Sequence, residues 1–137
     1  MPKLFVRSTA GTFSHDARAS VAAELTELGI ACEELADRQE VREGVWVVFD
    51  EWSPETVFSA GRAATRQTIV LEVFALEGGL DAYARQRLIA EATSVLDEHA
   101  EAAEYRTPTF VVIHDIPGSR WGMYGEQVEL AALREPA

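Results

Sequence analysis

The sequence predicts an α/β fold of the α+β, ferredoxin-like kind. Two fused βαβ units form a four-stranded sheet with two helices on one face. Three observations predict it. Apolar runs of strand character alternate with helical stripes in the order strand, helix, strand, twice over. The second set repeats the first at an offset of about 64–66 residues. The chain has 137 residues of which 47% are apolar, enough for one domain with its own core. The expected organisation is therefore one domain over 1–137, with repeats at 2–62 and 68–126.

The elements follow in order. A strand begins at Pro2-Lys3-Leu4-Phe5-Val6 and turns at Thr9-Ala10-Gly11. Ser14 suits an N-cap, and Asp16 suits the first turn of the helix it opens. Val21, Leu25 and Leu28 recur at helical spacing, and Gly29 reads as the stop. After Gly44 a second strand runs Val45-Trp46-Val47-Val48-Phe49, ended by Ser53-Pro54. The second unit opens with the strand Thr68 to Phe74, closed by Gly78-Gly79. Asp81 caps a helix in which Ala84, Leu88, Ala92, Val95 and Leu96 share one stripe. Pro108 leads into Thr109 to His114, stopped by Pro117-Gly118. Asp115 to Ser119 answers Asp50 to Glu55, and Trp121 to Gly125 answers Val57 to Gly61. Helices on one face leave the other sheet face bare and apolar, so packing alone implies a second subunit.

Composition narrows the function. A formal charge of −11 argues against a nucleic-acid partner, which needs clustered Lys and Arg. The acidic residues read as solvated surface. No apolar run has membrane-spanning length, and nothing at the start resembles an export signal. Cys32 alone forms no intrachain disulfide and fits a reducing cytoplasm, the expected location. It reads as a packed or idle thiol. There is no Ser-His-Asp arrangement, metal-ligand cluster or phosphate loop, so neither a metal nor a cofactor is expected.

Pro2 is the residue with chemistry in it. Proline after the initiator favours methionine removal, and removal leaves a ring-held secondary amine. Burial disfavours the charged form of an amine and lowers its pKa, which suits a base near neutral pH. A second-position proline also occurs simply as a stable terminus. With Met1 attached, its nitrogen is an amide and has no base chemistry.

Taken together, Pro2, Val48-Phe49-Asp50-Glu51, Val57 to Gly61, Thr68-Ile69, Asp115 to Ser119 and Tyr124-Gly125 resemble the tautomerase superfamily. The likeness is to its fused double-βαβ branch, which contains cis-3-chloroacrylic acid dehalogenase. It spans nearly the whole chain except the last dozen residues. The resemblance implies a homotrimer of fused chains and a catalytic amino-terminal proline. Thr68 stands where a second proline would be, implying one proline site per chain.

The departures are as telling. Two substrate-binding arginines of that branch become Leu76 and Gly79, and a histidine becomes Gly29. The water-activating tyrosine and glutamate become Val112 and Met123. An arginine that the short tautomerases place on the closing strand becomes Phe110, and Trp46 in the other half. Hydration of an unsaturated acid needs an oriented water and a bidentate anion clamp, so dehalogenation of the family type is not expected. The pocket implied is lined by Phe110, Val112, Trp121 and Met123, and suits a less charged, aromatic substrate.

Single residues carry two readings each. Tyr124 is either a donor to an enolate oxygen or an interface tyrosine. Trp121 is a wall or subunit contact. One of Arg62, Arg66 and Arg120 replaces the lost clamp, or all three are solvated. Glu72, mid-strand among apolar neighbours, is a second acid or the partner of an arginine across the trimer. His114 shares a strand face with Phe110 and Val112 and is a proton carrier or an edge histidine satisfied by backbone. His15 and His99 read as helix-surface residues.

The leading functional expectation is a cofactor-independent tautomerase or isomerase of a small-molecule keto-enol substrate, with Pro2 as general base and Tyr124 assisting. The alternatives are a non-catalytic scaffold or binding protein that kept the fold, or a member that uses the amine as nucleophile or hydrates its substrate.

Overall fold

The computed structural model describes residues 1–63 and 67–136. Its elements are β1 (Lys3–Thr9), α1 (His15–Glu33), α2 (Gln39–Arg42), β2 (Trp46–Trp52), β3 (Phe58–Ser59), β4 (Arg62–Ala63), β5 (Ile69–Leu76), α3 (Ala82–His99), β6 (Phe110–Ile116), β7 (Gly122–Met123), β8 (Glu126–Gln127) and α4 (Leu130–Arg134). The main sheet has the order β2-β1-β5-β6. β1 pairs with β2 in parallel and β5 with β6 in parallel. The two units meet where β1 and β5 run antiparallel. Strands of one unit are parallel because a helical crossover joins them.

Period-2 alternation decides which side chains meet the helices. Leu4 and Val6 of β1, with Ile69, Leu71, Val73 and Ala75 of β5, are buried under α1 and α3. From the helices, Val21 and Leu25 face Leu88, Ala92 and Leu96 in the same core. Ser14 caps α1 by accepting from the Ala17 N–H at 3.1 Å, and Asp81 caps α3 by accepting from Ala84 at 2.7 Å.

α1 does not stop at Gly29. It continues to Glu33 and closes on Glu34 in the left-handed region at φ 54°. Gly29 serves packing instead, since a Cβ there would stand 3.1 Å from the Pro2 ring. The helix passes that close to the amino terminus because position 29 carries no side chain.

The other face of the sheet is bare. Register aligns Trp46, Lys3, Phe74 and His114 across it, then Val48, Phe5, Glu72 and Val112, then Asp50, Arg7, Val70 and Phe110. Its centre holds a chain of interactions. Arg7 pairs with Glu72 and reaches Asp50 at 3.4 Å. His114 meets Glu72 at 2.8 Å and stacks on Phe74 with centroids 4.6 Å apart. Glu72 thus finds its arginine within its own chain, and His114 is satisfied by a carboxylate rather than by backbone. Around this centre Trp46, Phe110 and Val112 are exposed.

Each unit ends in a small hairpin. Ala60-Gly61 and Tyr124-Gly125 turn β3 into β4 and β7 into β8, all four residues at positive φ. That is the two-residue turn whose twist matches paired strands. Because β2 is parallel to β1, the first hairpin lies at the end of the sheet away from Pro2. Because β5 runs back and β6 follows it, the second hairpin returns to Pro2.

Among the described residues no helix is long and apolar enough to cross a membrane. Cys32 is a free, buried thiol whose pKa burial pushes up. On the helical surface Glu24, Glu98 and His99 bring their donor atoms within 4.8 Å, a grouping that two separate helices create. His99 pairs with Glu24 and so ties α3 to α1.

Candidate functional site

The amino terminus is buried between β1, the end of α1 and the second hairpin. Met1 and Pro2 are both buried. The Pro2 carbonyl accepts from the Trp46 N–H at 3.3 Å, so the terminus is held as the first rung of the β1–β2 ladder. Beyond it the Met1 ammonium meets Glu33 Oε2 at 3.3 Å. Glu33 is 1% exposed, and its Oε1 has no hydrogen-bond partner among the described residues.

This pair was not visible as surface chemistry in the sequence. Glu33 is not solvated: it closes the row Val21, Leu25, Gly29, Glu33, spaced i, i+4 along the buried face of α1. Extending the helix past Gly29 is the signal that finds it. α4 secures the surroundings. Arg134 donates to the Glu33 carbonyl at 3.0 Å and to the Gly79 carbonyl at 3.1 Å.

Burial dominates the electrostatics. It pushes the Glu33 carboxyl above its ordinary range, against the ammonium of Met1, hydrogen bonding from the Leu76 backbone and the charge of Arg134. It pulls the terminal ammonium down, against the attraction of Glu33. Lys3, whose ammonium bonds the Gly44 carbonyl, is pulled down by burial as well, opposed by Glu33.

A cavity of about 520 Å³ opens here. Met1, Lys3 and Gly44 form one wall, and Trp121, Met123 and Tyr124 of the second hairpin form the facing one. Sequence reasoning places Pro2, Trp121, Met123 and Tyr124 in one pocket, and the fold brings those segments together. It does not bring the others. Phe110 and Val112, 57% and 45% exposed, sit on the bare sheet face of the edge strand β6. Arg62 lies on β4, in the hairpin at the far end of the sheet. Arg120 lines a groove beside Lys3 and Trp121 on the bare face. Arg66 lies outside the described residues.

Tyr124 is 97% exposed and stands at the tip of its hairpin with φ 53°. A non-glycine residue there costs about 1–2 kcal/mol of backbone strain. Tyr124→Asn is therefore expected to raise stability by about 0.5–1 kcal/mol, since asparagine tolerates this region better. Urea denaturation measures it, and a loss of stability would show that the ring makes contacts that outweigh the strain.

The comparisons with known proteins agree with this geometry. The family model described as "Tautomerase enzyme" matches residues 70–131. A member of the cis-3-chloroacrylic acid dehalogenase family, N1, is 26% identical over 93% of this chain and 83% of its own, with TM-score 0.67. The chain is thus similar to the tautomerase superfamily, by the family model over its second unit and by its fold along its length. Two further structures share the fold across almost their full lengths. The symmetric trimer of fused 4-OT Q0 is 16% identical over 95% of this chain and 97% of its own, with TM-score 0.73. Pt0534, inactivated by 2-oxo-3-pentynoate, is 18% identical over 97% and 99%, with TM-score 0.75. No curated protein matches. In this chain the charge nearest the buried terminus is a carboxyl, Glu33, at the end of the first helix.

Proposed function

We propose that this protein is a cofactor-independent tautomerase of a small keto-enol substrate, acting as one domain built from repeats 2–62 and 68–126. Pro2, freed by removal of Met1, is the general base. The observation that carries the reading is the position of Pro2. It directly precedes the central strand β1, its ring is packed on Gly29, and its two chain neighbours, Met1 and Lys3, line the cavity closed by Trp121, Met123 and Tyr124. A secondary amine in that setting is desolvated, which favours the neutral, proton-accepting form. It removes a proton alpha to a carbonyl. Tyr124 or a backbone N–H steadies the enolate oxygen.

The cavity wall supports the choice of substrate. Trp121 and Met123 are apolar, and the family's anion-clamp positions hold Leu76 and Gly79. An aromatic enol such as that of phenylpyruvate should therefore turn over faster than a 2-hydroxymuconate-type diacid.

The test is intact mass followed by NMR titration of the terminal amine. The expected result is a chain beginning at Pro2 with an amine pKa well below that of an exposed prolyl amine. A mass that includes Met1 turns the Pro2 nitrogen into an amide and the Met1–Glu33 ion pair into a plug. The non-catalytic binding reading then replaces this one.

Self-association completes the proposal. The bare sheet face exposes Trp46, Phe110 and Val112 around the ionic centre Arg7–Glu72–His114, and the fused 4-OT Q0 and F6 structures are trimers. Light scattering is expected to give three copies per particle. A stable monomer at micromolar concentration would refute it.

A further inference from the structure

Met1 is a short apolar arm that carries an ammonium, and the protein is shaped around it. A Cβ on Gly44 would collide with its sulfur. Its side chain packs in the core beside Val41 and Leu133, and its ammonium meets Glu33. Met1 also forms part of the wall of the 520 Å³ cavity. Its removal therefore leaves a slot continuous with that cavity. At the inner end stands a buried carboxyl that keeps its hydrogen bonding from the Leu76 backbone and can accept more: Oε1 is buried without a hydrogen-bond partner, and Oε2 loses the ammonium.

In the processed chain the Pro2 amine is neutral in the functional reading above, and the neighbouring side-chain cations are committed elsewhere. Lys3 bonds the Gly44 carbonyl, and Arg134 bonds the carbonyls of Glu33 and Gly79. A buried carboxylate without a countercharge is strongly unfavourable, so the slot discriminates in favour of a group that brings a positive charge and N–H donors. The apolar side chains beside it, Val41 and Leu133, favour an alkyl arm, while Lys3, Arg38, Glu40 and Glu43 also line the cavity it opens into.

We propose that, in the chain beginning at Pro2, the slot left by Met1 is a binding subsite for a primary ammonium on a short apolar arm, held by Glu33. The subsite rests on the removal of Met1 in the functional reading above. It deepens that reading by naming the substrate class as an amine-bearing carbonyl compound. Glu33 holds the ammonium end, and the carbonyl end extends along the cavity past Pro2 towards Trp121 and Met123.

The experiment uses n-pentylamine and 1-pentanol as probes, with calorimetry on protein whose intact mass begins at Pro2. The amine is expected to bind saturably and at least about tenfold more tightly than the alcohol, which lacks the charge. Glu33→Gln should remove that preference. Gly44→Ala puts a methyl group into the slot without touching the carboxyl, and it should weaken binding about tenfold or more. Protein retaining Met1 should not bind. Equal affinity for amine and alcohol, binding indifferent to both substitutions, or binding to the Met1-bearing form would each overturn the subsite. Thermal melts accompany each variant, and Gly44→Ala carries the comparison if Glu33→Gln fails to fold. Enol turnover of Pro2→Ala in the same preparations keeps the two readings apart. Amine binding alongside turnover indifferent to Pro2 sinks the base and leaves the subsite. Pro2-dependent turnover without amine binding sinks the subsite alone.

Discussion

Replacing Pro2 by alanine in the processed chain is expected to lower kcat/KM for phenylpyruvate enolisation by about 10²–10⁴-fold, the range that a positioned general base contributes. The substitution leaves an amine at the terminus, so it does not test for an amine as such. It tests the ring. A prolyl amine is secondary, more basic than a primary one, and fixed in direction by its ring and by the contact with Gly29. A primary alanyl amine rotates freely and no longer fills the space over position 29. The Pro2 carbonyl bond to Trp46 is a backbone contact that alanine keeps, so the fold should persist and the melting temperature should move little. Turnover equal to that of the parent chain, with the fold intact, would remove Pro2 from the mechanism.

The sheet and its two long helices were legible because each segment shows one clear period. β1 and β5 alternate strictly between core and bare face, and the stripe Ala84, Leu88, Ala92, Leu96 repeats every four residues. The short helices α2 and α4 were not legible. Four or five residues hold too few turns for a period to show. Yet α4 supplies Arg134, which fixes the carbonyls of Glu33 and Gly79.

The structure departs from the sequence reading around the site for two physical reasons. Gly29 follows a helical stripe, where glycine ordinarily ends a helix. Here a contact with Pro2, distant in sequence, asks for the missing side chain, and the helix runs on to Glu33. Arg62 joins Pro2 only if the two hairpins are treated as equivalent. Parallel pairing of β1 and β2 sends the first hairpin to the opposite end of the sheet, about 20 Å away at the rise of a seven-residue strand. Phe110 and Val112 belong to the bare face of β6, where a second copy would pack rather than where Pro2 stands. Only segments near the start of β1 and the end of β6 could converge on the terminus, and Trp121, Met123 and Tyr124 satisfy that condition.

Glu33→Leu is expected to have opposite consequences in the two forms of the chain. In the form that keeps Met1, it removes the partner of a buried ammonium. Breaking a buried pair in this way costs about 3–5 kcal/mol. The amine can escape part of that cost by losing its proton, because burial already pulls its pKa below the ordinary 8.0. The loss is therefore expected near the lower end, about 3 kcal/mol. It should shrink as the pH rises towards 8. A group whose folded pKa is depressed binds fewer protons folded than unfolded, so folding gains as the pH approaches the unfolded value. In the chain beginning at Pro2 the Met1 ammonium is gone, the terminal group is the Pro2 amine, neutral in the reading above, and Glu33 is a buried carboxyl with its pKa pushed up by desolvation. The same substitution exchanges that carboxyl for an apolar side chain of similar volume and should be neutral or stabilising by about 1 kcal/mol. The gain should grow above pH 4.5, because a carboxyl with a raised folded pKa loses stability as the pH climbs from its unfolded value through its folded one. Denaturant titrations of both forms at pH 5 and pH 7 measure the four quantities. A loss of similar size in both forms would show that Glu33 is held by contacts other than the Met1 ammonium, and that the slot is not defined by their pairing.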